Sequence, residues 1–385
     1  MTDRNGRAGP GADTPRPTRS RPARAVDTAA PEQAAAERRP RKLRAMTSRH
    51  GSRPTMNDVA AAAGVGLKTV SRVVNGESGV SPAMAARVNA AIAELGFRRN
   101  DSARLLRTGR TASIALLLED IADPFSSALS RAVEDVAAAE GCLLFTGSSG
   151  EHPPRERELA LAFCARRVDG LVVVPAGDDH SYLLPETASG TPVVFVDRPA
   201  TGIAADAILS DNAGGAREGV SHLIRHGHRR IGFIGDLPQI HTSAERLRGY
   251  REAMAAAGLP VDERWIACGT TDRARVAEAV TRLVGGPEPV TALFTANNRI
   301  TVAALHRLPR TGGRPALLGF DDLELADLLT PALTVVAQDP AALGTAAAST
   351  LFERLAGDRT PPRRIVIPTR LIARGSAESP PPAVR

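Results

Sequence analysis

Several polar side chains and one aromatic ring follow directly after short apolar runs of the sequence. If those runs are parallel strands, their carboxyl ends share one edge of a sheet, where α/β proteins bind ligands. Carboxylates and amides there could bind the hydroxyls of a small polar molecule, and the ring could pack on its apolar face. Each residue alone could instead cap a helix or stabilise a turn. The candidates are Asp120, Phe125, Asp197, Asn297 and Asp321.

A second group of candidates lies near the N-terminus. Ala60, Gly64 and Val70 have the spacing of a helix-turn-helix, with a small residue where two helices meet, a glycine at the turn and a β-branched residue in the seam. The second helix would then present five side chains that could reach the major groove of DNA. The alternative is a structural hairpin inside a larger bundle. The five are Leu67, Lys68, Thr69, Ser71 and Arg72.

The sequence offers little to a catalytic or metal-dependent function. It has neither a nucleophile elbow nor a phosphate-binding glycine loop, and its three cysteines do not have metal-ligand spacing. His222, His226 and His228 could be read as metal ligands, but they could equally end a helix whose C-cap is Gly227. We therefore expect no enzyme activity, no cofactor and no metal.

Charge is unevenly distributed along the 385 residues, whose net charge is +7. Residues 1–53 carry 13 Lys and Arg against 5 Asp and Glu, and residues 54–110 carry 8 against 4. The remainder carries 28 against 33. The positive charge of the first 110 residues favours binding of a polyanion and supports the DNA-binding interpretation.

Three short helices are expected between residues 55 and 96. Thr55 and Asp58 have the spacing of a capping box at the start of the first helix, and the second is expected at 67–75. Ser81 followed by a proline begins the third, which Gly96 ends. The apolar face of the third helix carries Met84, Val88, Ile92 and Leu95.

After residue 110, apolar runs alternate with helix-length segments. Continuous apolar runs are typical of strands covered on both faces and hence of parallel α/β sheets. About 265 residues are too many for one sheet, so we expect two lobes. The predicted fold class is α/β, a three-helix helix-turn-helix head followed by a two-lobed body with parallel sheets. The runs lie at 114–118, 142–145, 171–174, 193–196, 231–234, 292–294 and 316–318.

The two ends of the sequence differ from the rest. Residues 1–53 have almost no large apolar side chains, so we expect a disordered basic tail there, and a second disordered tail at 376–385. The sequence has no apolar run of membrane-spanning length, and no apolar core follows the N-terminal charges. We expect a cytoplasmic protein without a membrane partner.

Residues 55–81 read TMNDVAAAAGVGLKTVSRVVNGESGVS and resemble the DNA-binding head of the lactose-repressor (LacI/GalR) family of bacterial transcription regulators. The resemblance implies a helix-turn-helix domain at 54–99. It implies that Leu67 and Lys68 select the operator sequence, and that three further residues of the helix make shared base and phosphate contacts. Thr55 and Asn75 would contact the DNA backbone. One departure is Gly66, where the family usually has a side chain that caps the helix.

Residues 100–110 resemble the hinge helix of the same family. A helix of about two turns is marginal alone, so we expect it to fold only on DNA, although a plain linker is the alternative. Leu106 matches the leucine that the family inserts between base steps in the minor groove. Asn100, Ala103 and Arg104 are the further DNA contacts that the resemblance implies.

Residues 111–375 resemble the two-lobed, periplasmic-binding-protein-like (type I) body of the family. Arg246 matches the arginine that the family directs at its effector. Asn298 and Ser126 depart from the usual Asp and aromatic residue. The resemblance implies a homodimeric regulator, most often a repressor, that binds a palindromic double-stranded operator and a carbohydrate-like effector.

Two other functional classes fit parts of the sequence. A cytosolic solute-binding protein would account for the two-lobed body but not for the helix-turn-helix. An enzyme on the same scaffold would need a reactive pair of side chains, which the sequence does not suggest.

Overall fold

The computed structural model describes residues 54–98, 110–269, 271–309 and 314–381. The chain divides into two compact units, 1–98 and 99–385, which are described separately. The tail predicted at 1–53 lies outside the described residues, and so does nearly all of the predicted hinge, 100–109. Within the described residues, no helix has the length and apolar character needed to cross a membrane.

The described part of the first unit has three helices: α1 (Met56–Ala63), α2 (Leu67–Val74) and α3 (Pro82–Leu95). The capping box predicted at Thr55 and Asp58 is present, and Gly64 ends α1 in the left-handed conformation, with φ 60°. The Ser81 hydroxyl caps α3. These local signals in the sequence therefore place the helix ends correctly.

The core of this unit is small and apolar. Val59 and Ala63 of α1 pack with Val70 of α2 and with side chains from α3 and the residues after it. Met84, expected on the buried face of α3, is 44% exposed. The other predicted residues of this face do contact the core: Val88 is fully buried, and Ile92 and Leu95 pack against it. Ala91 and, after the helix, Phe97 are buried as well.

The second unit contains two lobes, each with a six-stranded sheet. The first lobe has strand order β11-β5-β4-β3-β1-β2, all parallel. Its elements are β1 (Ser113–Leu118), α4 (Pro124–Ala139), β2 (Leu143–Ser148), α5 (Pro153–Ala165), β3 (Gly170–Val173), α6 (Leu184–Ala188), β4 (Val193–Val196), β5 (Asp206–Ser210), α11 (Pro340–Leu355) and β11 (Arg364–Ile367).

The second lobe has strand order β12-β10-β9-β8-β6-β7, in which only β12 is antiparallel to its neighbour. Its elements are α7 (Asn212–Arg225), β6 (Ile231–Ile234), α8 (His241–Ala256), β7 (Ile266–Ala267), α9 (Arg273–Gly285), β8 (Ala292–Thr295), α10 (Asn298–Arg307), β9 (Ala316–Phe320), β10 (Thr334–Ala337) and β12 (Arg370–Ile372). The predicted parallel α/β class is confirmed for both lobes.

Three short connections carry the chain between the lobes. They follow β5, β10 and β11, so each sheet contains strands from distant parts of the sequence. Two of the connections begin a helix at once, with the Asp211 carboxylate capping α7 and the Asp339 carboxylate capping α11. Carboxylates at helix N-termini satisfy free backbone N–H groups and interact favourably with the helix dipole. The caps therefore fix where each crossing ends.

In each lobe, two helices approach closely at a glycine. A Cβ added to Gly249 of α8 would lie 2.2 Å from the carbonyl oxygen of Ala213 in α7. A Cβ added to Gly344 of α11 would lie 2.6 Å from the carbonyl oxygen of Leu129 in α4. Only glycine permits these helix pairs to pack backbone against backbone.

Residues 376–381, predicted to be disordered, are instead part of the second lobe. Ala377 is fully buried in its core. The Glu378 carboxylate lies 2.6 Å from Nε2 of His222, and the Ser379 carbonyl accepts a hydrogen bond from His228. The prediction is wrong because composition does not report these individual contacts. Residues 382–385 of that predicted tail lie outside the described residues.

We expect Gly249→Ala to lower the free energy of unfolding by about 2 kcal/mol, because the methyl group must push two helices apart. Gly285→Ala is the matched control. Gly285 is also helical, but no atom lies within 4 Å of an added Cβ. Urea denaturation of both variants measures the difference, and equal stabilities would show that α7 and α8 are not held at this distance.

Gly66 precedes α2 without a side-chain cap, and an added Cβ there meets no atom within 4 Å. A serine would place a hydroxyl where it can accept a backbone hydrogen bond. We expect Gly66→Ser to be more stable than Gly66→Ala by about 1 kcal/mol. Amide hydrogen exchange of residues 54–98, recorded in the full chain during thermal unfolding, measures this difference in stability. No difference between the two variants would mean that the start of α2 does not limit stability.

Candidate functional site

The helix α2 exposes the residues that the sequence assigns to DNA. Leu67 is 48% exposed and Lys68 is exposed, whereas Thr69, Ser71 and Arg72 are half-buried. The opposite side of the helix is fixed by Val70, which is fully buried against the rest of the unit. An outward cationic and polar face on a firmly seated helix is the arrangement required to read DNA bases.

The turn before α2 is held by an arginine that sequence reasoning missed. Arg87 of α3 donates to the carbonyl oxygen of Ala63 at 2.6 Å and to that of Gly64 at 3.3 Å. These carbonyls end α1, where a cation also interacts favourably with the helix dipole. Arg87 therefore joins α3 to the end of α1, at the turn that leads into α2.

Two predicted phosphate-contacting residues also serve the local structure. Asn75 ends α2 and donates to the Ser71 hydroxyl at 3.3 Å and to Glu77 at 3.1 Å. Thr55 donates to the Asp58 carboxylate at 2.7 Å, and this hydrogen bond lowers the pKa of Asp58. Asn100, Ala103, Arg104 and Leu106 lie outside the described residues.

A cleft lies between the two lobes, at the carboxyl ends of their parallel strands. It brings together five of the six residues proposed from the sequence. The sixth, Asp120, does not line it; its carboxylate accepts a hydrogen bond from the Ala122 backbone N–H at 3.0 Å, which is the turn-stabilising alternative. The five are Phe125, Asp197, Arg246, Asn297 and Asp321.

Arg198 dominates the first lobe's side of the cleft. Its buried guanidinium forms a bidentate pair with Glu151 and donates to the carbonyl oxygen of Pro175 at 2.7 Å. Carboxylates of Glu119 and Asp197 each lie 3.6 Å away. Burial, together with Glu151, raises the pKa of Glu119 to about 8. Burial also raises the pKa of Asp197. One guanidinium thus serves three carboxylates.

Arg246 occupies the second lobe's side. It donates to the Asn212 side chain at 2.8 Å and to the carbonyl oxygen of Ala296 at 2.6 Å, and its guanidinium lies 3.9 Å from the centre of the Phe320 ring. Its NH1 atom is 3.8 Å from the Asp321 carboxylate. These contacts hold the guanidinium in one position, as a binding site requires.

The start of α10 contacts the first lobe across the cleft. The Asn298 amide donates to the Asp123 carboxylate at 3.0 Å, and Arg299 donates to the Glu119 carboxylate at 3.2 Å. The cavity that remains has a volume of about 60 Å³. Small-molecule sites typically have roughly 300–1,000 Å³, so a sugar-sized ligand requires the lobes to separate.

Some polar atoms of the cleft have no hydrogen-bond partner. They include Oδ1 of Asp197, whose residue is 6% exposed, and Oε1 of Gln338. Asp197 and Asp321 also have left-handed backbones, with φ 70° and 72°. Unpaired buried acceptors and backbone strain are costly, and they are characteristic of binding sites.

Sequence reasoning missed several residues that line the cleft. Glu119 and Arg198 are immediate neighbours of candidates, so the same strand-end argument could have found them. Gln338 was missed because its strand, β10, was not predicted. The other lining residues that the sequence analysis did not assign to the cleft are Asp123, Glu151, Asp236, Ile240, Thr242, Ser243, Ala296, Asn298 and Arg299.

The three histidines considered as metal ligands have other partners. His222 pairs with Glu378, His226 donates to the carbonyl oxygen of His222, and His228 contacts Thr291 and Ser379. Among the residues with described positions, no group of three His, Cys, Asp or Glu side chains could hold a metal ion. His222 and His228 instead fasten the last described residues to the second lobe.

We expect Arg198→Met to lower the free energy of unfolding by about 3 kcal/mol, because it leaves buried carboxylates without a counter-charge. The control is Arg131→Met, whose ion pair with Asp135 is exposed and contributes little. Urea denaturation compares the two. A small effect of Arg198→Met would show that the neighbouring carboxylates already carry protons.

Comparisons with known proteins agree with both units. The sequence profile described as bacterial regulatory proteins, lacI family, matches residues 55–100, and a periplasmic binding protein-like domain matches residues 220–377. The HTH-type transcriptional regulator CelR of Thermobifida fusca is 35% identical over 336 residues, covering 84% of this chain and 98% of CelR. The maltose regulon regulatory protein MalI of Escherichia coli is 33% identical over 338 residues, covering 83% and 97%.

Solved structures give the same result. A lac repressor dimer bound to operator and the anti-inducer ONPF is similar with a TM-score of 0.75 and 25% identity, covering 85% of this chain and all of that one. A complex of CelR with cellobiose has a TM-score of 0.61 and 33% identity, covering 84% and 100%. The chain therefore belongs to the LacI family of bacterial regulatory proteins, and it is a DNA-binding transcriptional regulator.

Proposed function

We propose that the protein is a repressor that binds a palindromic operator as a homodimer, and that a carbohydrate-like molecule in the cleft controls its affinity for DNA. The observation that carries the proposal is a pair of hydrogen bonds that closes the cleft. The Asn298 amide donates to the Asp123 carboxylate, and the Arg299 guanidinium donates to the Glu119 carboxylate. A ligand that binds there must break or replace them. It therefore changes the arrangement of the lobes.

On the DNA side, we propose that the exposed residues Leu67 and Lys68 select the bases of each half-site. Thr69, Ser71 and Arg72 would make base and phosphate contacts from the same helix, and Thr55 and Asn75 would contact the backbone. We also propose that four residues of the hinge segment bind the minor groove between the half-sites: Asn100, Ala103, Arg104 and Leu106. The proposal also includes domain bounds of 54–99 for the helix-turn-helix and 100–110 for the hinge. The body, predicted at 111–375, extends to at least residue 381, because Ala377 is buried in its second lobe.

On the ligand side, the five cleft residues predicted from the sequence have chemistry suited to a polyol. Phe125 offers an apolar face, and Asp197 and Asp321 offer acceptors for hydroxyl groups. Arg246 and Asn297 offer donors of fixed position. A ligand shifts the equilibrium between lobe arrangements only by its difference in affinity for them. Breaking the contacts of α10 provides that difference.

The relatives support this reading. One of them is solved in complex with cellobiose, and another as a dimer on operator DNA with a small molecule. A solute-binding protein without a regulatory role leaves the helix-turn-helix unexplained. The relatives compared above are transcriptional regulators, and we propose that this protein likewise has no catalytic activity.

The experiment begins with selection of the operator from randomised duplexes, followed by gel-shift titration with and without candidate sugars. We expect the affinity to fall steeply with salt and to change when a sugar binds. Lys68→Ala is expected to lose about 1–3 kcal/mol of discrimination at one base pair of each half-site. Arg131→Ala, an exposed substitution in the body, is the control. DNA binding that is independent of base sequence and of every ligand would contradict the proposal.

A further inference from the structure

The two walls of the cleft differ in charge. The first lobe contributes four carboxylates and one guanidinium to the lining, whereas the second lobe contributes two of each. The guanidinium of the first wall, Arg198, is already bonded to Glu151. The first wall therefore has more carboxyl groups than guanidiniums, although burial raises the pKa of Glu119 and of Asp197, and the second wall has equal numbers of the two.

Arg299 compensates part of this negative charge from the opposite wall. It reaches from α10 to Glu119 at 3.2 Å, and its other terminal nitrogen lies 4.0 Å from Asp120. Beside it, the Asn298 amide donates to Asp123. When the lobes separate, Glu119 and Asp123 lose both donors, and the first wall keeps its carboxylates.

Resting on the proposed function of the cleft, we propose that the effector is a polyol with a protonated amine, and that the amine replaces the Arg299 guanidinium beside Glu119 and Asp123. Arg299 thus acts as an internal competitor that occupies the ammonium position when the lobes are closed. The remainder of the effector would bind through its hydroxyl groups.

The hydrogen-bonding capacity of the cleft agrees with such a ligand. Oδ1 of Asp197 and Oε1 of Gln338 are buried acceptors without a partner, which donors on the ligand would satisfy. Nε of Arg198 is a buried donor without a hydrogen-bond partner, which a hydroxyl oxygen of the ligand would satisfy. Burial raises the pKa of both Glu119 and Asp197 above the ordinary carboxylate range. A bound cation favours the ionised form of a neighbouring carboxylate, and the attraction is mutual.

An anionic effector, such as a phosphorylated sugar, fits this cleft poorly. Each of the three guanidiniums that line it already has a partner for at least one nitrogen: Glu151 for Arg198, Asn212 and the Ala296 carbonyl for Arg246, and Glu119 for Arg299. Of their nitrogens, only Nε of Arg198 is buried without a hydrogen-bond partner among the described residues. A phosphate would have to displace one of these partners and approach the carboxyl groups of the first wall. Like charges in a poorly solvated site repel strongly.

The test uses three matched pairs of sugars, glucosamine with glucose, galactosamine with galactose and mannosamine with mannose. Within a pair, only the C2 substituent changes, from an ammonium to a hydroxyl group. Isothermal titration calorimetry at pH 7 is expected to show at least tenfold tighter binding of the hexosamine in at least one pair. The N-acetylated sugar, which has lost the charge, should bind no more tightly than the hexose, and glucose 6-phosphate should bind most weakly.

Two variants test the assigned residues. Glu119→Gln should reduce the hexosamine-to-hexose affinity ratio at least fivefold. Arg299→Ala should raise that ratio at least threefold, because the internal competitor is removed. A purely structural role of Arg299 would instead weaken both members of a pair equally. Arg131→Ala is the charge-matched control, and its ratio should stay at the wild-type value.

The outcomes separate the inference from the function on which it rests. If hexoses or glucose 6-phosphate bind as tightly as hexosamines, the amine inference is wrong and the proposed function stands. If the ratio is insensitive to Glu119→Gln and Arg299→Ala, the assigned position is wrong. If none of these sugars binds, the inference is wrong as well, and the operator titration then decides the proposed function by itself.

Discussion

The behaviour of the body depends on how buried carboxylates are neutralised at the boundary between the lobes. Removing a carboxylate from water is costly unless a cation or several hydrogen-bond donors compensate it. On the first lobe, Arg198 supplies compensation to Glu151, Glu119 and Asp197 at once. The remaining donors come from the other lobe. Closing the cleft therefore also compensates the carboxylates of the first lobe. A ligand that compensates these carboxylates in another way changes the closure of the cleft.

The helix-turn-helix unit, in contrast, depends mainly on local interactions at the ends of its helices. A capping box, a left-handed glycine and a serine cap fix the ends of α1 and α3. The buried Val70 and the apolar side chains around it then hold α2 in place. Because Leu67 and Lys68 are exposed on the other side of α2, they can vary without disturbing the fold. The DNA sequence that the protein recognises can therefore change without a change in the stability of the three-helix unit.

Most of the fold could be predicted from the sequence, and the failures have identifiable causes. Seven strands, such as β1 and β4, were found because they are continuous apolar runs. The strands β5 and β10 were missed, although they too lie in the interior of their sheets. The strands β11 and β12 were missed because arginine and alternating exposure interrupt the pattern at the sheet edges. The final residues were misjudged because Ala377 and Glu378 are held by contacts with residues far away in the sequence.

The candidate cleft was predicted only in part, for a related reason. Strand-end position identified Phe125, Asp197 and Asp321, because topology alone brings the ends of parallel strands together. It could not show that Asp120 serves its own turn, nor that Asn298 and Arg299 reach the opposite lobe. Such contacts depend on the angle between the lobes, which no local pattern encodes.

The three crossings have a consequence for biosynthesis. The first sheet needs β11 at its edge and the second needs β12, and both strands lie beyond residue 363. A growing polypeptide therefore cannot finish either sheet before residues 364–372 have been translated. Until then both sheets of the nascent chain lack an edge strand, and this one short segment supplies both strands.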